Sequence, residues 1–165
     1  MTNFRIADES SAAELSALAS AIVKEHYDQI LGAEQNDYMI EKFQSESALL
    51  QQMANGYRYY FVEADGKTAG FIGFYPRDGR MYISKLYIDR RFRRRHLASD
   101  SIDFICRQTQ REGMDRMYLN VNRYNEGSIA FYEKMGFKKL YSEDNDIGNG
   151  YFMNDYVMEA EVGSC

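Results

Sequence analysis

The chain has 165 residues, 45% of them hydrophobic and 27% charged, which suits one domain able to bury roughly two-thirds of its unfolded surface. Twelve glycines, a single proline (Pro76) and no compositionally biased tract leave no material for a long linker or disordered arm, and two full domains are not expected. The formal charge of −5 disfavours a general nucleic-acid binder, although a sum can conceal patches of opposite sign.

Cys106 sits in an apolar-periodic segment and Cys165 at the last position, so neither a disulfide framework nor a cysteine metal site is expected, and the compartment reads as reducing. MTNFRIADES has neither a basic start nor an apolar core, and no run approaches about 18 apolar residues. A cytoplasmic protein without membrane contact is the expectation.

In chain order, Phe4 and Ile6 suggest a short strand. Ser11 and Glu14 form a capping-box signature ahead of Leu15, Leu18, Ala19 and Ile22, which predicts a helix to about Leu31 ended by Gly32. Asn36 to Phe43 and Ser45 to Ala54 read as short helices, and Tyr57 to Glu63 as a strand. Asp65-Gly66 turns the chain into a strand over 68–75, closed by Pro76, and Asp78-Gly79 turns it again into Met81 to Ile88, completing an antiparallel meander. Beyond an Arg-rich loop, Leu97, Ile102, Ile105 and Cys106 carry helical spacing to about Gly113. Met117 to Val121 reads as a strand, Glu126 to Met135 as a helix stopped by Gly136, and Phe137 to Tyr141 with Gly150 to Met158 as a closing strand pair. The sum is a single α+β domain over 1–165: an antiparallel meander, one β-helix-β unit, and a final strand pair.

The Arg-rich loop is the most informative feature. Arg90, Arg91, Arg93, Arg94 and Arg95 place five guanidinium groups in six positions directly before a helix N-terminus. The first turn of a helix offers unpaired backbone N–H groups and the positive end of the dipole, so such a junction suits phosphates. A solvated basic turn or an RNA-contacting patch would carry the same charge.

The stretch LYIDRRFRRRHLASDSIDFI resembles motif A of the GNAT superfamily of acyl-CoA-dependent N-acetyltransferases, with Arg93, His96 and Ala98 at the three defining positions of its R/Q-x-x-G-x-G/A loop. His96 departs from the usual glycine, which lets backbone approach a phosphate and take positive φ. LNVNRYNEGSIAFYEKMGFKK resembles motif B, matched at Asn125, Ala130, Tyr132, Gly136 and Phe137, in the family's order and spacing.

The resemblance implies a mixed sheet with two splayed parallel strands, and acetyl-CoA as acyl donor. Backbone amides of Arg93, Arg94, Arg95, His96, Leu97, Ala98 and Ser99 would surround its pyrophosphate, and Leu86, Tyr87 and Ile88 would offer main-chain groups to pantetheine. A backbone N–H there could bind the thioester carbonyl and stabilise charge as it develops. Tyr132 matches the family's usual general acid for the departing thiolate. Asn125 would orient pantetheine or the helix start, and Ser128 would contact the cofactor. No metal and no covalent enzyme intermediate are implied, and a homodimer is the family's habit.

The nucleophile must be neutral. An amine of pKa about 10.4 is deprotonated at pH 7 only about one part in 10^3.4, a cost of about 4.6 kcal/mol. His26 falls on the first helix and His96 in the loop, which leaves Asp37, Glu63 or a water chain through Tyr and Asn groups as the base. Residues 141–165 hold Glu143, Asp144, Asp146, Asp155, Glu159 and Glu161 and no base, a local −6, while the first 140 residues sum to +1. An acidic lip there would attract a cationic small-molecule amine or a lysine-like acceptor; a soluble sheet edge would look the same. The helices over 36–54 would form the other wall. The expected activity is direct acetyl transfer to a primary amine in a ternary complex. The rival is a non-catalytic module of the same fold that binds CoA, a nucleotide or RNA, supported by His96.

Overall fold

Both Asp-Gly pairs turn the chain as their chemistry dictates. Asp65 and Gly66 (φ 52° and 74°) and Asp78 and Gly79 (φ 54° and 75°) each supply the two positive φ angles that a type I′ hairpin needs. The computed structural model describes residues 1–163; residues 164 and 165, and with them the expectation for Cys165, lie outside it. The described residues form a mixed α+β fold, as expected. Its elements are β1 (Thr2–Ala7), α1 (Ala12–Leu31), α2 (Ala33–Gln44), α3 (Glu46–Ala54), β2 (Arg58–Ala64), β3 (Lys67–Arg77), β4 (Arg80–Ile88), a 3-10 turn (Arg90–Phe92), α4 (Leu97–Arg111), β5 (Arg116–Asn122), α5 (Glu126–Lys134), β6 (Lys138–Gly148) and β7 (Tyr151–Glu161).

The chain clusters into two units, with β4 and α4 each contributing to both. In the first (Met1–Tyr75 and Lys85–Ser101), β1 pairs antiparallel with β2, and β2 with β3. The second half of β4 lies beside β3, where the Asp89 N–H donates to the Ala69 carbonyl at 2.8 Å. Leu15, Ala19 and Ile22 of α1 and Leu49 of α3 pack with Tyr59, Phe61 and Phe71 of the strands. Ser45 caps α3, accepting from the Ala48 N–H at 3.3 Å. The Ser11/Glu14 capping box does not form: Ser11 makes no side-chain cap, Glu14 pairs with Arg5 at 3.0 Å, and Asp8 holds the preceding turn through Ser10 N–H.

In the second unit (Pro76–Ser84 and Ile102 onward), β4 and β5 run parallel over Met81↔Met117, Tyr82↔Tyr118 and Ile83↔Leu119. That ladder ends at Ile83, and β5 continues to Asn122. β7 pairs antiparallel with β5 and with β6. Ile105, Met117, Leu119, Phe137 and Met158 are buried. Cys106 is also buried, and it is disulfide-bonded, against the expectation of a chain without disulfides. β6 runs seven residues beyond the predicted Tyr141 end, to Gly148, because Asn149-Gly150 supplies the hairpin turn (φ 55° and 78°). No helix among the described residues is long and apolar enough to cross a membrane.

Candidate active site

The loop between β4 and α4 has the backbone its motif requires. Arg94 (φ 65°) and His96 (φ 62°) both sit in the left-handed region, so the residue at the glycine position takes a glycine conformation. Holding two non-glycine residues there costs on the order of 1 kcal/mol each, strain of the kind that collects at ligand clamps. Alternation of this sort turns successive N–H groups toward one concavity. The first α4 bond runs from Asp100 N–H to the His96 carbonyl at 2.9 Å, and among the described residues no side chain caps the amides of Leu97, Ala98 and Ser99. His96 therefore no longer favours a non-catalytic module.

The five arginines are not equivalent. Arg90 pairs with Glu25 at 2.8 Å, Arg91 with Asp89 at 2.7 Å and Arg95 with Asp65 at 3.3 Å. Arg93 and Arg94 face no carboxylate among the described residues, and the Arg93 guanidinium lies 3.4 Å from His26 Nδ1. A cavity of about 410 Å³ opens beneath this turn, lined by Ile22, Glu25 and His26 of α1 and by Asp89, Arg90 and Arg93. His26, set aside in the sequence as a helix residue, is thus brought to the loop. These features fit a ligand bearing phosphates.

Leu86, Tyr87 and Ile88 complete β4 in the same unit, partly exposed, with the Tyr87 ring against Phe71 (5.4 Å between centroids) and Tyr27 (6.2 Å). Their backbone is backed by Gly70: a Cβ there would lie 2.2 Å from the Tyr87 carbonyl oxygen.

In the second unit, Asn125 caps α5 by accepting from Ser128 N–H at 3.3 Å, which favours the helix-start role over direct pantetheine contact. Tyr132 lies in the last turn of α5, with its ring edge-on to Phe137 at 5.5 Å and to Phe131 at 5.3 Å.

The expected bases are committed elsewhere: Asp37 to Lys24 at 3.0 Å on an exposed surface, and Glu63 to Arg5 at 2.9 Å. A group the sequence counted only as lip charge stands out instead. Asp155 on β7 is buried, and burial raises its carboxyl to about 6. Asn120 Nδ2 donates to Asp155 at 3.4 Å and to Glu143 at 3.1 Å, while the Tyr82 hydroxyl donates to Asn120 Oδ1 at 3.1 Å. Glu143 stands directly across the β6–β7 register and adds repulsion, as does Asp144; Arg123 opposes them. A carboxyl poised near 6 can take up a proton close to neutral pH.

The fold prefers the protonated acid, so this residue's stabilisation is complete below its ordinary pKa of 3.8 and is lost as pH rises through about 6. Asp155→Asn should then match the wild type near about pH 4 and exceed it by about 3 kcal/mol near about pH 8. The Tm difference measured across that range should open with pH; a constant difference would contradict the burial effect.

Three of the six acids of the lip are paired with arginine. Glu159 accepts from Arg80 at 2.7 Å and Arg116 at 2.9 Å, Glu161 pairs with Arg116 at 3.4 Å, and Asp144 with Arg123. Its long-range pull on a cation is weaker than the count of −6 implied.

The acetyltransferase (GNAT) family model matches residues 22–137. Human N-acetyltransferase 8 is 24% identical over 87 residues, 49% of this chain and 38% of that protein, so the match spans about two-fifths of this curated relative. Among solved structures, PaiA N-acetyltransferase from Thermoplasma acidophilum in complex with coenzyme A is similar, with a TM-score of 0.80, 22% identity, and 98% and 99% of the two chains covered. The ribosomal-protein-S18-alanine N-acetyltransferase of Escherichia coli gives a TM-score of 0.70, 16% identity, and coverage of 100% and 96%. With the family match extending over more than half its length, from α1 through Phe137 after α5, the chain belongs to the GNAT family of acetyltransferases.

Proposed function

We propose that this chain is an acetyl-CoA-dependent N-acetyltransferase acting on a primary amine by direct attack in a ternary complex. The observation that carries the reading is the left-handed backbone at Arg94 and His96 ahead of an uncapped helix start, a phosphate cradle built at a cost in strain. Acetyl-CoA, when bound, supplies an activated thioester. The amides of residues 93–99 hold its phosphates, Arg93 and Arg94 add unneutralised charge, and Leu86 to Ile88 present main-chain groups to pantetheine. Tyr132 gives a proton to the departing sulfur, with Asn125 and Ser128 fixing the start of its helix. Asp155 is the group whose proton affinity suits taking a proton from an ammonium near neutral pH. A small amine or lysine-like side chain is the acceptor class, and the cytoplasm and a homodimer are the proposed setting.

Acetyl-CoA at about 100 times its Kd should stabilise the protein by about 2.7 kcal/mol, raising Tm by roughly 5–10 °C. Arg93→Ala combined with Arg94→Ala should weaken binding about tenfold and reduce that stabilisation by about 1.4 kcal/mol. The same Tm rise in the double variant would remove these side chains from the donor site, and no rise at millimolar acetyl-CoA in the wild type would count against the whole reading.

A further inference from the structure

β4 carries a lysine where its pattern calls for an apolar residue. Lys85 alternates in register with buried Met81 and Ile83 and is itself only 6% exposed. No carboxylate neutralises it among the described residues. Its Nζ donates instead to the Phe43 carbonyl at 2.6 Å, to Gln44 Oε1 at 2.9 Å and to Gln52 Oε1 at 3.1 Å, with the Tyr59 ring centroid 5.2 Å away. The network closes on itself: Gln52 Nε2 donates to the same Phe43 carbonyl at 3.2 Å, and the Tyr59 hydroxyl to Gln52 Oε1 at 2.5 Å.

Three acceptors around one nitrogen match the three donors of an ammonium. Phe43 belongs to the last turn of α2, whose terminal carbonyls have no partner within the helix, so Lys85 caps α2 from inside the core and fixes α3 through Gln52. A buried cation without a counter-ion is a costly way to fill space, and an apolar side chain of similar volume would do so more cheaply. What an apolar side chain could not do is join two helices to the strand at the residue before Leu86.

We propose that Lys85 is a positioning residue for the acetyl acceptor, holding the α2–α3 wall at a fixed distance from the donor strand through its three hydrogen bonds. This rests on the assignment of Leu86 to Ile88 to the donor and of residues 36–54 to the acceptor wall. Burial brings the Lys85 amine down to about 7, so the link responds to pH near neutrality. The neutral amine has only two N–H bonds, and one of the three acceptors is then released. The groups facing Lys85 are Phe43 and Gln44 of α2, Gln52 of α3 and Tyr59 of β2; of these only the Tyr59 phenol titrates, and burial holds it protonated far above the usual range.

The test compares full-length wild type with Lys85→Met, using spermidine as the amine probe. Amides over 44–54 should exchange about tenfold faster in the variant while those of α1 stay unchanged, and the acetyl-CoA Kd should stay within about twofold. The KM for spermidine should rise about tenfold with kcat within about threefold, and the increase of wild-type KM above about pH 7 should vanish in the variant. An unchanged KM, a KM that keeps its pH dependence, or an equal loss of acetyl-CoA affinity overturns the proposal. If Lys85→Met does not fold, Gln44→Met keeps the lysine, removes one acceptor and carries the same expectations. A protein that binds acetyl-CoA but acetylates no primary amine overturns the functional reading instead. In that case wild-type protection over 44–54 that falls between about pH 6 and about pH 8.5, and is flat in the variant, supports the Lys85 link, while equal behaviour of the two overturns it.

Discussion

Tyr132→Phe is expected to lower kcat about a hundredfold while leaving the acetyl-CoA Kd within about twofold. The substitution keeps the ring: edge contacts to Phe137 and Phe131 survive, and the helix end is held by the Tyr132 carbonyl, which accepts from Phe137 N–H at 2.9 Å. The hydroxyl is removed, and with it the phenolic proton. If that proton goes to the departing sulfur, the loss falls on turnover and spares binding. An equal loss in kcat and in affinity would make Tyr132 a binding group, and an unchanged kcat would remove it from the acid role. Tm measured beside the kinetics should differ by less than about 1 kcal/mol equivalent, since little apolar contact changes.

Gly70→Ala should destabilise the protein by about 3 kcal/mol or more, a Tm loss of roughly 6–12 °C. The added methyl would meet the Ile88 side chain at 2.9 Å and, beyond any rotamer change, backbone at 2.2 Å from the Tyr87 carbonyl oxygen and 3.0 Å from Ile88 Cα. β4 must shift, and the segment that shifts is the one assigned to pantetheine. The acetyl-CoA-dependent rise in Tm should therefore shrink as well. Gly127→Ala, in the first turn of α5 with open space around its Cβ, is the control and should gain about 0.5 kcal/mol. A neutral Gly70→Ala would contradict the close approach of β3 to the donor strand.

What could be read in the residues, and what could not, divides along physical lines. The Asp-Gly turns were legible because two residues carry the whole conformational demand. The two motif segments were legible because residue types recur at fixed spacing, and the fold they imply is the one observed. The Ser11/Glu14 box failed because Arg5, brought in by β1, outcompetes the helix amide for Glu14. The end of β6 was missed because residues 142–146 are largely exposed and carry no apolar alternation; the Asn149-Gly150 pair was the available signal. Asp155 and Lys85 were hidden for a common reason. A charged side chain in a sequence reads as surface, and only the fold shows that Asn120 and Glu143 enclose one, and Phe43, Gln44 and Gln52 the other.

The net charge follows the same logic. A chain of −5 carries a loop where Arg93 and Arg94 meet no carboxylate among the described residues, while three of the six acids of the C-terminal segment, Asp144, Glu159 and Glu161, pair with Arg80, Arg116 and Arg123. On the proposed reading, charge should select the donor's phosphates more strongly than the acceptor, and amine preference should rest on shape and on proton transfer. The decisive measurement is release of free thiol from acetyl-CoA across a panel of primary amines and lysine peptides, with the acetylated product quantified by mass spectrometry. Thiol release that requires an amine and equals the N-acetylated product is the predicted result. A protein that binds acetyl-CoA yet releases thiol at the same rate with and without every amine, and forms no N-acetyl product, would contradict it.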